Sequence, residues 1–424
     1  MKVGIDLDNT LINYSDIWKE LAPLHEEPKE YLKSHISNEE WIKIQGQVYG
    51  EKIHKAHINE EWFNLINLFK ECNVNVEFVS HKTELSLCGN YRLRDEASFF
   101  LKRHGLDSIK TTYHNDILNK INYINDSNFD FMIDDLIPVL SALKGVIPLY
   151  LGNTLTELPS FSDTKGLCEF FSHFEFNTFT KTSRTSFRVG NKYYKYHLSQ
   201  YRQINETKYL KFKNIKFISK NGFIIQEEIK NLSPLTSIDS AIGSKICSAL
   251  MAARDIPNVS YARDTWLHPA SLELLSRRLE NNTSKFNNLL NESFTNSEIK
   301  FNDLKAGFFL NPDLHPGNIK KDHNQIIIFD YESAGVDDPV RALLNFLYHP
   351  QNDLDFNSNC ILIKEFKLAF PEYFIRKNIE SYFAYTSILW LDILSRNNVD
   401  ISNLLNECRS NPIFSWKYEY YEYF

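Results

Sequence analysis

Two carboxylates near the start of the sequence have the spacing that phosphoryl-transfer chemistry needs. Asp6 and Asp8 lie two residues apart at the end of the apolar run 3–7. Transfer through a covalent aspartyl intermediate requires a nucleophilic carboxylate, a second carboxyl group as acid and base, and a divalent cation that screens their repulsion. Asp6 and Asp8 are candidates for the first two roles.

A second set of polar side chains occurs in the last third of the chain. Asp313 and Asn318 are five residues apart, and Asp330 follows the hydrophobic run 326–329. This is the spacing of the catalytic-loop aspartate and the metal-binding asparagine of kinases, followed by a second metal-binding aspartate. In that chemistry Asp313 orients the acceptor hydroxyl, while Asn318 and Asp330 hold Mg²⁺.

The first set requires strands that end near one another. Residues 3–7, 74–80 and 129–133 are short, largely apolar runs, each followed at once by polar or acidic residues, which is typical of buried parallel strands. Catalytic groups in such sheets gather just past the carboxyl ends of the strands. Residues 15–70 show helical periodicity and almost no strand signal, so we interpret them as a helical insertion.

The second set is preceded by a different pattern. Alternation over residues 186–196 predicts a hairpin that turns at Gly190 and Asn191, and a helix is expected at about 198–212. A second strand pair is joined by Asn221 and Gly222. From residue 238 onward long amphipathic helices dominate, interrupted by the irregular segment 308–339. The domain boundary is expected near 152–175.

Composition excludes several classes of protein. The chain has 424 residues, 24% of them charged and 43% hydrophobic, which is ordinary for a folded globular protein of two or three domains. Its formal charge of −7 gives no basic surface for nucleic acid. The six cysteines are far apart, and neither a membrane span nor a secretory signal is predicted. We therefore expect a cytoplasmic protein with free thiols that binds neither nucleic acid nor membrane.

Residues 1–155 resemble the haloacid dehalogenase (HAD) superfamily of phosphatases. The opening motif D-x-D-x-T/V occurs as DLDNT at 6–10, Ser80 stands at the position of the phosphate-binding Ser/Thr, and Asp134 and Asp135 match the terminal acidic motif. Lys120 stands where the family has its phosphate-neutralising lysine. Lys82, close to Ser80, is the alternative for that role.

The resemblance implies a mechanism for these residues. Asp6 would attack phosphorus, and Asp8 would protonate the leaving oxygen and then activate water. Mg²⁺ would be held by Asp6, Asp134 and the carbonyl of Asp8. The acid at position 8 favours a phosphatase over a dehalogenase. The segment of about 15–70 would be the helical cap over the cleft.

Residues of about 180–400 resemble the aminoglycoside phosphotransferase and choline kinase family. The family motifs D-L-H-x-x-N and I-D-W-E-x-A-x-x-x-D-P occur here as DLHPGN at 313–318 and FDYESAGVDDP at 329–339. The resemblance makes Asp313 the catalytic residue and assigns Mg²⁺ to Asn318 and Asp330. It places Lys195 at the ATP phosphates and Glu206 in the salt bridge that orients this lysine.

The chain departs from the kinase family in two places. Asn311 and Pro312 replace the His-Gly that usually precedes the catalytic aspartate, and the phosphate-covering loop 181–186 has no glycine. The first departure favours an alternative in which the second domain binds ATP without catalysis and regulates the phosphatase.

Together these observations predict an α/β protein of two domains. A Rossmann-like HAD domain with a small helical cap would occupy residues 1–155, followed by a linker over 156–175. A bilobal, kinase-like α+β domain would occupy 176–424, with its N-lobe at about 176–232 and its C-lobe at about 233–424.

We expect a bifunctional, Mg²⁺-dependent enzyme with cofactors Mg²⁺ and ATP. Its partners would be a small-molecule phosphate ester and a hydroxyl acceptor, such as a sugar, amino sugar or polyol. The alternatives are the regulatory ATP-binding domain and a nucleic-acid end-processing phosphatase-kinase. The second would need a basic groove with interleaved aromatic residues.

Overall fold

The computed structural model divides the chain into two compact units. The first contains Met1–Ser199 and Phe217–Glu228, and the second contains Gln200–Lys216 and Ile229–Phe424. The structure describes residues 1–229, 232–252, 308–310, 313–322, 325–332, 334–337, 339–374, 379–397, 399–413 and 415–424. The predicted departure at Asn311 and Pro312 lies outside these residues.

The first unit is built on a six-stranded parallel sheet of order β3-β2-β1-β4-β5-β6. Its strands are β1 Lys2–Ile5, β2 Asn75–His81, β3 Thr111–His114, β4 Phe131–Asp134, β5 Ile147–Leu151 and β6 Ser160–Phe161. The central strand β1 pairs with β2 on one side and with β4 on the other. This register brings the ends of the three strands predicted from apolar runs to the same edge of the sheet.

Helices connect these strands. The first unit contains α1 Ser15–Leu21, α2 Pro28–His35, α3 Asn38–Gly46, α4 Glu60–Glu71, α5 Leu93–Arg103, α6 Ile117–Asp126, α7 Ile137–Ser141 and α8 Thr164–Ser172. A capping box between Ser37 and Glu40 begins α3, which continues into a π-helical turn at Gln47–Glu51. Trp62 on α4 donates a hydrogen bond to the carbonyl of Thr10 beside β1. The predicted insertion therefore consists of helices α1 to α3 with the π-helical turn, and α4 returns the chain to the sheet.

A five-stranded antiparallel sheet completes the first unit, in the order β10-β11-β9-β8-β7. Its strands are β7 Thr180–Lys181, β8 Ser186–Val189, β9 Lys192–Tyr196, β10 Phe217–Lys220 and β11 Phe223–Glu227. Both predicted hairpins are present. Asn221 and Gly222 adopt positive φ angles of 53° and 78°, as the tight turn between β10 and β11 requires.

An aromatic cluster joins the two sheets of this unit. Phe131 on β4 packs edge to face against Phe187 on β8, with ring centroids 5.4 Å apart. Phe170 on α8 stacks on Phe223 of β11 at 5.6 Å. The segment predicted as a linker, 156–175, thus contains β6 and α8, and it packs between the two sheets. The domain boundaries themselves stay a prediction.

The second unit is mainly helical. Its described helices are α9 Gln200–Phe212, α10 Ser240–Ala252, α11 Pro339–Tyr348, α12 Phe356–Ala369, α13 Pro371–Phe374, α14 Ile379–Arg396 and α15 Ser402–Ser410. Its described strands are β12 Ser233–Pro234, β13 Phe308–Leu310, β14 Ile319–Asp322, β15 Gln325–Ile328 and β16 Gly335–Asp337. Helix α11 is buried along its whole length. The predicted fold class, a parallel α/β sheet followed by an α+β part, is confirmed.

None of the described helices has the length and apolar character that crossing a membrane requires. The six cysteines are free thiols, as predicted.

Candidate active sites

Lys120 connects two of the predicted catalytic carboxylates at the edge of the parallel sheet. Its ammonium group lies 2.6 Å from Asp6 Oδ1, directly after β1, and 2.6 Å from Asp134 Oδ2 at the end of β4. All three side chains are buried. Burial acts to lower the pKa of Lys120, but the two carboxylates raise it above its usual value, so the lysine carries its charge.

The surrounding acids create an excess of negative charge. Carboxylate oxygens of Asp6, Asp134 and Asp135 all lie within 4.8 Å of one another. Burial raises the pKa of Asp135 to about 7, with a further contribution from Asp134, while Lys29 and Lys120 act against this rise. Burial also raises the pKa of Asp6. Because hard carboxylate oxygens are the ligands that Mg²⁺ prefers, the donor set fits this ion.

Asp8 is held at both of its carboxylate oxygens. Tyr14 donates a hydrogen bond of 2.7 Å to Oδ1, and Lys82 Nζ lies 2.8 Å from Oδ2. Tyr14 is buried, and its pKa is raised by that burial and by the Asp8 charge, so its hydroxyl stays protonated. The two lysines considered for one role thus contact different carboxylates: Lys120 contacts Asp6 and Asp134, and Lys82 contacts Asp8.

Ser80 lies at the end of β2 and is fully buried. Among the described residues its hydroxyl has no hydrogen-bond partner. An unpaired buried hydroxyl carries a desolvation cost. This cost would be offset if a bound phosphate oxygen accepted its hydrogen bond, as predicted for this position.

A cavity of about 520 Å³ opens above these groups. Asp6, Asp8 and Asp135 line it at the edge of the sheet, and both the helical insertion and the segment 83–93 contribute further lining residues. The residues from the insertion are Lys29, Ile42, Gln45, Gly46 and Tyr49. The Lys82 ammonium lies 5.4 Å from the centre of the Tyr49 ring.

Sequence reasoning missed Tyr14, Lys29 and Tyr49. Tyr14 and Lys29 stand in or beside helices with no motif around them. Tyr49 is directed by the π-helical turn, and such turns are frequent at functional sites but have no reliable sequence signal. Only the fold brings these residues to the end of the sheet.

The second predicted set lies in the second unit, around a short hairpin. Asn318 directly precedes β14, and its side-chain amide donates a 3.1 Å hydrogen bond to the Asp313 carbonyl. Strand β14 pairs with β15, and the Phe329 amide donates to the Asn318 carbonyl at 2.8 Å. Asp330 follows at once, with a positive φ of 64° that is uncommon outside glycine. The hairpin therefore brings Asn318 and Asp330 together beside the Asp313 loop.

Two stacked histidines accompany Asp313. The rings of His315 and His349 are 3.8 Å apart and nearly parallel, and both histidines have a ring nitrogen within 4.8 Å of an Asp313 carboxylate oxygen. Burial lowers the pKa of His315 to about 4 and that of His349 to about 3, so both rings are neutral at pH 7.

The backbone fixes the tautomer of both rings. Nδ1 of His315 accepts a hydrogen bond from the Gly317 amide, and Nδ1 of His349 accepts one from the Gln351 amide, each at 3.1 Å. The proton of each neutral ring therefore lies on Nε2. Nε2 of each histidine can therefore donate a hydrogen bond. Because this nitrogen carries the proton, it has no free lone pair for a metal ion.

The predicted nucleotide-binding pair is divided between the two units. Lys195 lies on β9 of the first unit, and Glu206 lies on α9 of the second. The ion pair between them stays a prediction. Within the second unit, Arg202 on α9 contacts Glu332 at 2.9 Å, and the Asn205 amide donates to the Ala334 carbonyl at 2.8 Å. Helix α9 is thereby connected to the segment that follows Asp330.

No protein-family profile matches the chain, and no curated protein does. Among solved structures, the chain is similar to a choline kinase from Streptococcus pneumoniae, with 13% identity, 56% of this chain and 93% of that chain covered, and a TM-score of 0.39. It is also similar to a choline/ethanolamine kinase family protein from Mesorhizobium loti, with 14% identity, 50% and 77% coverage, and a TM-score of 0.37.

A third similar structure is a HAD-superfamily hydrolase from Ehrlichia chaffeensis. It has 18% identity to this chain, the match covers 40% of this chain and 95% of that chain, and the TM-score is 0.26. The activities in these names belong to those proteins.

Proposed function

We propose that the chain is a bifunctional enzyme, with a Mg²⁺-dependent phosphomonoester phosphatase in its first unit and an ATP-dependent small-molecule hydroxyl kinase in its second. The observation that carries the phosphatase half is the buried Lys120, which contacts Asp6 and Asp134 at 2.6 Å below a cavity of about 520 Å³. The kinase half is supported by the hairpin that brings Asn318 and Asp330 together beside the Asp313 loop. A buried lysine shared by two carboxylates, with a third acid adjacent, leaves a net negative charge that suits Mg²⁺, and the lysine together with that cation would suit a phosphate ester.

In the phosphatase, Asp6 would attack phosphorus and form an aspartyl phosphate as the leaving oxygen departs. Asp8 would give its proton to that oxygen and then take one from the water that hydrolyses the intermediate. Ser80 would donate to a phosphate oxygen, and Lys120 would neutralise the negative charge. Mg²⁺, bound by Asp6, Asp134 and the Asp8 carbonyl, would supply additional charge neutralisation.

In the kinase, Asp313 would orient the acceptor hydroxyl and accept its proton as the γ-phosphoryl group is transferred. Asn318 and Asp330 would hold Mg²⁺, and their amide and carboxylate oxygens suit this ion. Lys195 would bind the ATP phosphates, with Glu206 as its orienting partner.

The substrate class we favour is a sugar, amino sugar or polyol and its phosphate ester. A kinase and a phosphatase that acted on the same position would only hydrolyse ATP. We therefore propose that the two sites act on different positions or on successive metabolites.

Separate substitutions test the two sites. Asp6→Asn is expected to reduce hydrolysis of p-nitrophenyl phosphate by at least about a thousandfold and to leave ATP-dependent phosphorylation unchanged. Asp313→Asn should have the opposite pattern, measured with labelled ATP and a panel of sugars and polyols.

The exposed residues Asp107 and Asp353 provide matched controls, since Asp107→Asn and Asp353→Asn should change neither activity. If the purified protein bound ATP but transferred phosphate to no acceptor, the kinase half of the proposal would be wrong and a regulatory role would take its place.

A further inference from the structure

The cavity above Asp6 is lined by the sheet edge, by the helical insertion and by uncharged side chains of the segment 83–93. The wall formed by the sheet edge carries the carboxylates and Lys82, which is paired with Asp8. The wall formed by the helical insertion is neutral, with Ile42, Gln45 and Tyr49, except for one lysine, Lys29. A leaving group bound beside the scissile phosphate would face this second wall.

Lys29 differs from the other lysines of the site in its pairing. Lys120 is shared by Asp6 and Asp134, and Lys82 is paired with Asp8. Within the described part of the chain no carboxylate lies within ion-pair distance of Lys29, and its charge acts on Asp135 only at longer range. Lys29 is also half-buried, which removes part of its hydration.

The helix does not explain a lysine at this position. Lys29 is the second residue of α2, Pro28–His35, where the partial positive charge of the helix N-terminus disfavours a cation. Glu30 follows it and suits that end of the helix. Lys29 therefore opposes the local helix electrostatics while its side chain lines the cavity.

We propose that Lys29 binds a second anionic group on the phosphatase substrate. Among sugar and polyol phosphates, the preferred phosphatase substrate is then one whose leaving group also carries a carboxylate or a second phosphate. The cavity volume of about 520 Å³ is within the usual range for small-molecule sites. This inference rests on the proposed phosphatase function.

A pair of ligands of equal carbon number tests this proposal by binding, without turnover. Glucitol 6-phosphate and 6-phosphogluconate are both open-chain six-carbon phosphate esters, and only the second has a carboxylate. Isothermal titration calorimetry with the full-length Asp6→Asn protein and Mg²⁺ should give a dissociation constant at least about tenfold lower for 6-phosphogluconate. In the double variant with Lys29→Met this difference should disappear, and with Lys29→Arg it should be largely kept.

Lys33 provides the matched control, because it lies on the same helix and is exposed. Lys33→Met in the same background should keep the tenfold difference. Equal affinities for the two ligands before Lys29 is changed, or a difference that persists in the Lys29→Met variant, would overturn the inference. Hydrolysis of p-nitrophenyl phosphate by the unsubstituted protein reports separately on the phosphatase. A failure of that assay would count against the proposed function, and the affinity ratio would still decide the role of Lys29.

Discussion

At the scale of single residues, Asp8, the acid and base of the proposed phosphatase, is held by two side chains that its sequence motif does not include. Both oxygens of Asp8 have a partner, Tyr14 at 2.7 Å and Lys82 at 2.8 Å. No sequence motif predicts the contact between Tyr14 and Asp8. Its hydroxyl reaches Asp8 because the chain turns immediately after β1, with Asn9 at a positive φ of 63°.

Tyr14→Phe tests this positioning role, since it removes the hydroxyl and keeps the ring. We expect kcat for p-nitrophenyl phosphate to fall about tenfold while KM changes little, because the lost hydrogen bond orients Asp8 and does not bind the phosphate. Tyr31→Phe, on α2, serves as the control. An unchanged kcat, or a KM that rises in proportion to the loss, would show that Tyr14 has only a packing role.

Glu77 is a second residue whose surroundings give a testable result. Burial acts to raise its pKa, but hydrogen bonds from its neighbours lower it to about 2. The partners are Thr112, Tyr123, Lys110 and Lys2. The carboxylate is therefore ionised in the folded protein, and protonating it requires breaking a buried network.

Glu77→Gln should lower the free energy of unfolding by about 1–3 kcal/mol at pH 7, measured with urea. Because the folded pKa is depressed, this contribution is complete above the ordinary glutamate pKa of about 4.5 and is lost as pH falls toward 2. The difference between the two proteins should accordingly shrink below pH 4.5. Glu71→Gln, at an exposed position, should show no such pH-dependent difference.

At the scale of elements, the sequence predicts what has a local cause. Strands β1, β2 and β4 coincide with largely apolar runs, and the turn after β10 is formed by an Asn-Gly pair. The structure contains all four of these locally determined elements. Strands β3 and β5 were not predicted. Thr111–His114 is polar and only half-buried, and Pro148 interrupts the strand signal in Ile147–Leu151.

The residues of the candidate site also divide into those that the sequence predicts and those that it does not. Asp6, Asp8, Ser80 and Asp134 stand at strand ends, so parallel-sheet geometry alone predicts that they lie together, and the structure places them there. Tyr14 reaches Asp8 through the turn after β1. Lys29 and Tyr49 reach the cavity through the course of the helical insertion. That course depends on packing between distant residues, which periodicity does not reveal.

The turn between β10 and β11 allows a sharp test at this scale. At Gly222, φ is +78° and an added Cβ would lie 2.9 Å from the backbone Cα of Pro159. Gly105 also has a positive φ, of +69°, but an added Cβ there meets nothing within 4 Å. Gly105→Ala should cost about 1–2 kcal/mol, from backbone conformation alone.

Gly222→Ala should cost clearly more, because the Pro159 backbone must also move. Thermal unfolding of the two variants beside the unsubstituted protein measures the difference. Equal costs would mean that the contact between this turn and residues 158–159 contributes nothing to stability.

At the scale of the whole molecule, the antiparallel sheet expected to belong to the kinase packs in the first compact unit. The rings of Phe131, Phe170, Phe187 and Phe223 form one cluster that spans both sheets of this unit. Burial of aromatic side chains on this scale dominates the stability of a core. The strands of the parallel sheet and those of the antiparallel sheet are therefore parts of one core.

A truncated protein that ends at residue 175 tests whether the parallel sheet depends on the antiparallel sheet for its stability. It keeps every strand of the parallel sheet and loses β7 to β11. It should expose Phe131 and Phe170, bind a hydrophobic dye and aggregate, whereas the full-length protein should not. A soluble, monomeric fragment that hydrolyses p-nitrophenyl phosphate at the full-length rate would show that the predicted boundary at 156–175 separates independent domains.

The shared core also sets an order of events during protein synthesis. The first unit needs β10 and β11, which follow helix α9 of the second unit in the chain. The ribosome must therefore release residues through Glu228 before the parallel sheet can cover its aromatic face. Until then the nascent polypeptide exposes the aromatic face of the parallel sheet. Chaperone binding to chains arrested between residues 175 and 228 should therefore exceed binding to longer chains.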